Sequence, residues 1–189
     1  MIVLLSPLLV LVAVIVKLTS RGPVLFRQER VGLDGRPFTL LKFRSMIVTD
    51  DDTALREIVQ LELAGERSAQ GGSFKVLDDP RVTRVGRVMR STSIDELPQL
   101  FNVLRGEMSL VGPRPALQWE ADMFPPEYQR RTTVPPGITG LWQVSGRSTL
   151  GTLDMLRLDV EYVDTWSLGM DLRILMRTLP VLVRGDGAR

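Results

Sequence analysis

The chain opens on an unbroken apolar run, MIVLLSPLLVLVAVIV over residues 1–16, in which periodicity carries no information and length decides. As a straight helix it reaches about 24 Å, short of a hydrocarbon core of about 30 Å, so it is not expected to span a bilayer alone. Pro7 breaks the helical ladder in mid-segment, and the preceding Ser6 can satisfy a freed carbonyl, which predicts a bend inside lipid. The competing reading is a buried core helix. A signal peptide fits poorly, because no basic stretch precedes the run and no small-x-small site follows it.

Residues 24–31 and 37–44 read as strands joined by Gly32-Leu33-Asp34-Gly35, whose Asp-Gly pair accepts the positive φ of a tight turn. Phe38, Leu40, Lys42 and Arg44 then share one face, with two cations at its end. A short amphipathic helix is expected within 49–64, followed by a flexible loop over 65–72. Residues 80–92 carry Arg81, Arg84, Arg87 and Arg90 opposite Val82, Val85 and Val88, the pattern of a helix with an arginine stripe. Ser93 and Glu96 have capping-box spacing ahead of Pro98 and an apolar-periodic run through Leu104, which predicts a helix start.

Further on, Gln143, Ser145 and Arg147 share a face if that segment is extended, with Trp142 and Val144 on the other, as in a nucleotide or sugar-phosphate wall or a solvated sheet edge. Residues 152–164 read as a helix whose apolar stripe is Leu153, Leu156, Val160 and Val163, with Asp159 beside it. A carboxylate there is costly without a partner or a task. Residues 171–184 set Leu172, Leu175, Met176 and Leu179 on one face and Arg173, Arg177 and Arg184 near another, which suits an interfacial helix or packing on the core. The sum is an α+β fold, mostly helical, with a small β-hairpin and a short N-terminal apolar helix, re-entrant or interfacial, on a monotopic membrane-associated domain.

Composition narrows the chemistry. The 189 residues include no Cys and no His, which excludes disulfide scaffolds, thiol nucleophiles, His triads and His metal clusters, and leaves carboxylates, Lys, Arg, hydroxyls or an oxygen-bound metal. Net charge is only +2, yet 21 of the 24 basic residues are Arg, whose planar fork matches phosphate oxygens. Seven basic residues stand against two acidic ones between Lys17 and Arg44, a flank that predicts a seat on the cytoplasmic face of a membrane. The arginine stripe comes with no recognition motif or stacking pattern for nucleic acid.

Asp95 and Glu96 sit in the first turn of the predicted helix, where the partial positive charge favours ionised carboxylates. One such group can attack phosphorus while its neighbour holds Mg²⁺, although acidic residues in a first turn more often serve only as caps. Four longer motifs change that weighing: Asp79-Pro80-Arg81, Ser93-Ile94-Asp95-Glu96-Leu97-Pro98-Gln99-Leu100, Gly112-Pro113-Arg114-Pro115 and Pro136-Gly137-Ile138-Thr139-Gly140-Leu141-Trp142-Gln143. With Ser6-Pro7, Gly22-Pro23-Val24 and Lys42-Phe43-Arg44-Ser45-Met46, they resemble the bacterial sugar transferase family, the monotopic polyprenyl-phosphate phosphoglycosyl transferases. The run from Phe74 to Pro80 is most similar to the catalytic domain of the larger members.

The resemblance implies a Mg²⁺-dependent transfer of a phospho-sugar from a UDP-sugar to undecaprenyl phosphate at the bacterial cell membrane, releasing UMP and initiating exopolysaccharide or other glycoconjugate synthesis. It implies Asp95 as the nucleophile that carries the phospho-sugar, Glu96 as the Mg²⁺ partner with Asp95 beside it, and Lys42, Arg90 and Arg114 as polar site residues. Asp159 matches the family's Leu-Asp-Val-x-Tyr pattern and joins Gln143 and Arg147 as a substrate-side candidate. The flanking prolines restrict the turn at Arg114 and present its side chain with little entropy left to lose. Residues 1–20 are then the membrane segment, 47–72 a variable region and 73–189 the catalytic core of one domain. Family members carry a basic start and about one more half-helix ahead of Ser-Pro, so the expectation is a truncated catalytic part or a misassigned start. A catalytically inactive membrane scaffold of the same fold is the alternative function, and the sequence leaves the sugar and any homo-oligomer open.

Overall fold

The structure, a computed structural model, describes residues 2–47, 52–66, 81–146 and 150–184. It is a mostly helical α+β fold. Helix α1 (Ile2–Thr19) runs on through Pro7, so the expected bend does not end the helix. That proline forfeits only a bond to the carbonyl one turn back, close to the helix start. One stripe of α1, Val12 and Val16, is buried against Phe43 and Met89, while Leu4, Val10, Leu11 and Leu18 are exposed. No helix among the described residues is long and apolar enough to cross a membrane.

The hairpin forms as read. Strands β1 (Leu25–Val31) and β2 (Pro37–Phe43) pair antiparallel with Phe26 opposite Lys42. Their turn closes through Gly32 N–H to the Arg36 carbonyl at 2.8 Å, with φ of 52° at Asp34 and 75° at Gly35. Arg44 is not a free cation at the end of the strand face. It turns back on α1, and its Nη2 donates to the Ser20 carbonyl at 2.8 Å while Nη1 donates to the Pro23 carbonyl, capping the helix C-terminus with a buried charge.

Helix α2 (Thr53–Leu63) is tied to the distal part of the chain by Glu62, which accepts from the Thr152 backbone N–H at 3.0 Å and caps another helix from a distance. Helix α3 (Arg84–Ser91) starts at Thr83, whose hydroxyl accepts from the Gly86 N–H at 2.8 Å. A Cβ at Gly86 would lie 1.9 Å from the Ser45 carbonyl oxygen, so only glycine lets α3 lie against the end of the hairpin. The buried face of α3 is Gly86 and Met89, and Val88 is 63% exposed rather than inside with Val85. Residues 65–66 end α2 in a turn; the rest of the 65–72 loop expectation lies outside the described residues.

The expected capped helix start is instead a 3-10 turn over Ile94–Glu96, followed by α4 (Gln99–Leu104). Ser93 makes no cap with its side chain, because its backbone is left-handed, with φ of 54°. Asn102 on α4 then clamps the free edge of β2. It accepts from the Leu41 N–H at 3.1 Å and donates to the Thr39 carbonyl at 2.7 Å, standing in for a third strand.

The remaining frame departs further from the sequence pattern. Strand β3 (Ser109–Val111) pairs parallel with β4 (Gly137–Thr139), a second small sheet. Between them lie α5 (Gln118–Met123) and a 3-10 stretch, Pro126–Thr132. Residues Leu141–Ser145 form a short helix, α6, so the extended face proposed for Gln143, Ser145 and Arg147 does not exist there, and Arg147 lies outside the described residues. Trp142 of α6 packs into a core with Phe124, Met155 and Leu156. Helix α7 (Thr152–Thr165) buries Met155, Leu156, Asp159 and Tyr162, one stripe over from the one expected. Helix α8 (Leu168–Arg184) buries Ile174 and exposes Leu168, Leu172, Met176 and Leu179.

Removing the Asn102 amide leaves the buried Leu41 N–H without a partner, at about 1–3 kcal/mol before relaxation, while the Thr39 carbonyl at its part-buried edge can turn to water. Asn102→Ala should therefore lower unfolding stability by about 1–3 kcal/mol in denaturant titrations. Asn102→Asp should cost more, since a carboxylate would face the Thr39 carbonyl and Glu107, now 2.6 Å from Nδ2. An Asp variant more stable than the Ala variant would refute the clamp.

Candidate active site

The corner between α3 and α4 brings together the groups that sequence reading singled out. Asp95 is buried within the 3-10 turn and Glu96, next along it, is half-buried. Lys42, aimed at this turn from β2, holds Glu96 Oε1 at 2.7 Å. Arg90, in the last turn of α3, lies near enough for its charge to act on Asp95, and its Nη1 contacts Met46 Sδ at 2.9 Å. Burial pushes the Asp95 carboxyl up to about 6; Lys42 and Arg90 pull it down, while Glu96 adds to the rise. The carboxylate is thus mostly ionised at neutral pH, though held at a cost.

A second group of charges lies behind the first. Asp159, with 1% exposure, is gripped by Arg131 through Nε at 3.1 Å and Nη2 at 2.6 Å. The same Nη2 donates to the Arg114 carbonyl at 2.6 Å, which fixes the backbone that presents Arg114. Buried Arg30 donates to the Pro115 carbonyl at 3.2 Å and stands 3.5 Å from Glu120. Burial and the charge of Arg114 push the Arg30 guanidinium down to about 10, with Glu120, Asp52 and Glu96 acting the other way. Arg30 therefore lies in the field of both groups.

Beside the dyad opens a small pocket of about 120 Å³, with Glu96, Leu97 and Leu100 on one side and Ile138, Gln143 and Thr178 on another. Gln143 Nε2 donates to the Ile138 carbonyl at 3.2 Å, which orients its amide, and its Oε1 is buried without a partner.

The sequence profile described as "Bacterial sugar transferase" matches residues 1–185. Similar proteins include a UDP-glucose:undecaprenyl-phosphate glucose-1-phosphate transferase of Caulobacter vibrioides, 47% identical over 98% of this chain and 66% of that protein. A UDP-galactose-lipid carrier transferase of Erwinia amylovora is 44% identical over 99% of this chain and 39% of its own length. The Streptococcus agalactiae galactosyl transferase CpsE is 45% identical over 89% of this chain and 36% of its own. The chain belongs to the bacterial sugar transferase family. It spans little more than a third of two of these relatives and 66% of the other.

Within this family member, the residues read from sequence divide in three. Asp95, Glu96, Lys42 and Arg90 meet at one corner, and Gln143 lines the pocket there. Arg114 and Asp159 belong to the charge network behind it, joined through Arg131. Arg147 lies outside the described residues. Three residues that shape the region had no sequence signal: Arg131, Arg30 and Asn102 take their roles from partners far along the chain. The doubled Arg130-Arg131 was the one available hint, and only one of the two is buried.

Asp95 and Glu96 would offer two carboxylates to a hard divalent cation such as Mg²⁺, which takes one or two and completes its shell with phosphate oxygens and water.

The raised Asp95 pKa has a consequence for stability. Folding favours the protonated acid, so this contribution is present below about pH 4 and is lost as pH rises through about 6. Asp95→Asn keeps the shape and stays neutral, so it should be more stable than the wild type at pH 7.5 by about 2–3 kcal/mol. At pH 4 the two should converge. Thermal melts across this range check the sign; a variant less stable than wild type at pH 7.5 contradicts it.

Proposed function

We propose that the chain transfers a sugar-1-phosphate from a UDP-sugar to undecaprenyl phosphate, releasing UMP, by way of a covalent phospho-sugar on Asp95. The observation that carries this is a buried, ionisable Asp95 beside the Lys42–Glu96 pair at a pocket mouth, in a chain of this family. The relatives' names supply the donor and the lipid carrier.

In the first step an Asp95 carboxylate oxygen attacks the sugar-bearing phosphorus of the donor. The aspartyl–phosphorus bond forms, the bridging P–O bond breaks, and UMP leaves with the electron pair. In the second step a phosphate oxygen of the lipid attacks the same phosphorus and returns Asp95 to a carboxylate. Lys42 holds the Glu96 carboxylate in place, and Arg90 offsets negative charge at Asp95. Arg114, fixed through its carbonyl by Arg131, offers a guanidinium fork to phosphate oxygens. Glu96, with Asp95 beside it, would hold Mg²⁺, and the ion would supply charge neutralisation on the diphosphate.

The acceptor's lipid nature suits the surface. Helix α1 exposes Leu4, Val10 and Leu18, and α8 exposes Leu168, Leu172 and Met176. The exposed basic residues at and after the end of α1, Lys17, Arg21, Arg27 and Arg36, support a seat on the cytoplasmic face of the bilayer.

Incubated with Mg²⁺ and UDP-sugar but no lipid, the enzyme should release at most one UMP per site and gain one phospho-sugar mass on the peptide containing Asp95. Asp95→Asn should abolish the adduct. Glu96→Gln should slow its formation about 10²-fold or more by weakening the metal site. Turnover with lipid but no adduct in rapid-quench samples would instead favour direct attack by the lipid phosphate. For the membrane seat, Leu172→Glu with Met176→Glu should move the protein from the vesicle-bound fraction toward the free fraction in flotation assays.

A further inference from the structure

The arginine stripe of α3 does not stay on one face. Residues three apart on an α-helix differ by about 60°, so the stripe turns as it runs. Arg84 and Arg87 are exposed, while Arg90 is carried round toward the buried side and is half-buried. That side is where α3 meets the end of the hairpin, with Gly86 against the Ser45 carbonyl. The residue after Ser45 is Met46. Its backbone is fixed from both sides, because the Thr83 N–H donates to the Ser45 carbonyl at 3.1 Å and the Ile47 N–H donates to the Arg81 carbonyl at 2.8 Å. Met46 and Val82 are thereby paired across an antiparallel bridge. From that position Met46 Sδ accepts from Arg90 Nη1 at 2.9 Å.

The contact differs in kind from those of the neighbouring cations. Lys42 is spent on the Glu96 carboxylate at 2.7 Å and Arg131 on Asp159 at 2.6 Å. Among the described residues, Met46 is the one hydrogen-bond partner of the Arg90 guanidinium. A thioether carries no charge and accepts weakly, so it sets the direction of the fork without neutralising it. A carboxylate at this place would fix Arg90 as well and cancel its charge. The other N–H groups of the guanidinium stay available to an anion, on the side of α3 from which Arg90 acts on Asp95.

We propose that Met46 is a positioning residue, whose sulfur aims the Arg90 guanidinium at the place beside Asp95 where the donor diphosphate must come and leaves its charge intact for the phosphate oxygens. The inference rests on the reading of the donor as a UDP-sugar.

The test reads UDP binding, with Mg²⁺ and the full chain in detergent, alongside UMP release. Met46→Leu keeps the bulk and removes the acceptor, and Met46→Gln restores a neutral acceptor at similar length. The Leu variant should keep a cooperative melt, bind UDP about three- to tenfold more weakly and raise the KM for UDP-sugar by a similar factor. A merely structural loss would lower kcat through fewer folded molecules and leave the KM unchanged. Met46→Gln should recover most of the affinity. In an Arg90→Ala background Met46→Leu should change UDP binding by less than about twofold, since no guanidinium is left to aim. Wild-type affinity and KM in the Leu variant would overturn the proposal. So would an equal loss in both backgrounds, which would make Met46 a packing residue. The contact is also read without any nucleotide: in a chain with isotopically labelled methionine methyls, the Met46 resonance should shift on Arg90→Ala, and a resonance that does not move overturns the proposal. Neither UDP binding nor the methyl signal needs turnover, so a wild type that releases no UMP refutes the proposed reaction while the role of Met46 is still read.

Discussion

A two-stranded hairpin is marginal on its own, and the outer edge of β2 must find partners before it can hold a side chain in register. Asn102 supplies them, with one amide serving the Leu41 N–H and the Thr39 carbonyl at a fully buried position. Because Lys42 follows Leu41 directly, the clamp decides where its ammonium points. Because Asn102 sits on α4, directly after the 3-10 turn of the dyad, the same contact decides where Glu96 stands. The 2.7 Å Lys42–Glu96 contact is thus downstream of a side chain that touches neither group. The opposite side of the corner is set as tightly, by Gly86 against the Ser45 carbonyl, which sets the helix that carries Arg90.

Charges are buried here in excess of what stability would select. Ion pairs in low dielectric return little net stability, since desolvation offsets their attraction. The Arg131–Asp159 pair makes sense through its third contact, the carbonyl of Arg114, which a hydrophobic replacement could not hold. Arg30 does the same for the next residue, through the Pro115 carbonyl. Two buried guanidinium groups thus brace the backbone on either side of the Arg114–Pro115 peptide, and the flanking prolines remove the freedom that remains. The bracing stiffens a loop that would otherwise rely on two strands of three residues each.

What could be read from the sequence was what periodicity or local turn chemistry encodes. The hairpin follows from alternation around Asp34-Gly35, and α7 and α8 from their 3.6-residue spacing. The dyad was legible because its motif is local. What failed did so for physical reasons. A capping box requires an extended cap residue, and Ser93 is left-handed. Residues 141–145 alternate like a strand, but Trp142 enters a core with Met155 and Leu156 that favours a helical turn, a tertiary effect no local window contains. Asp159 looked out of place beside an apolar stripe because its partner, Arg131, is 28 residues away. Asn102 offered no signal at all, since its two backbone partners lie more than 60 residues earlier.

The left-handed Ser93 makes the dyad possible. For a residue with a Cβ this conformation costs about 1 kcal/mol or more, and here no side-chain cap compensates it. A regular helix running from α3 straight into α4 would carry Asp95 on one more solvated turn beyond Ser91, with its carboxylate free to hydrate. Breaking the helix at Ser93 instead folds the chain back, tightens Ile94–Glu96 into a 3-10 turn and sinks Asp95 among Lys42, Arg90 and Glu96. Two costs, backbone strain and carboxylate desolvation, thus fall within two residues of each other, where neither helps the protein fold. Only the second acts on the carboxyl itself: an Asp95 that has lost its water and retains its charge is more basic than a solvated aspartate.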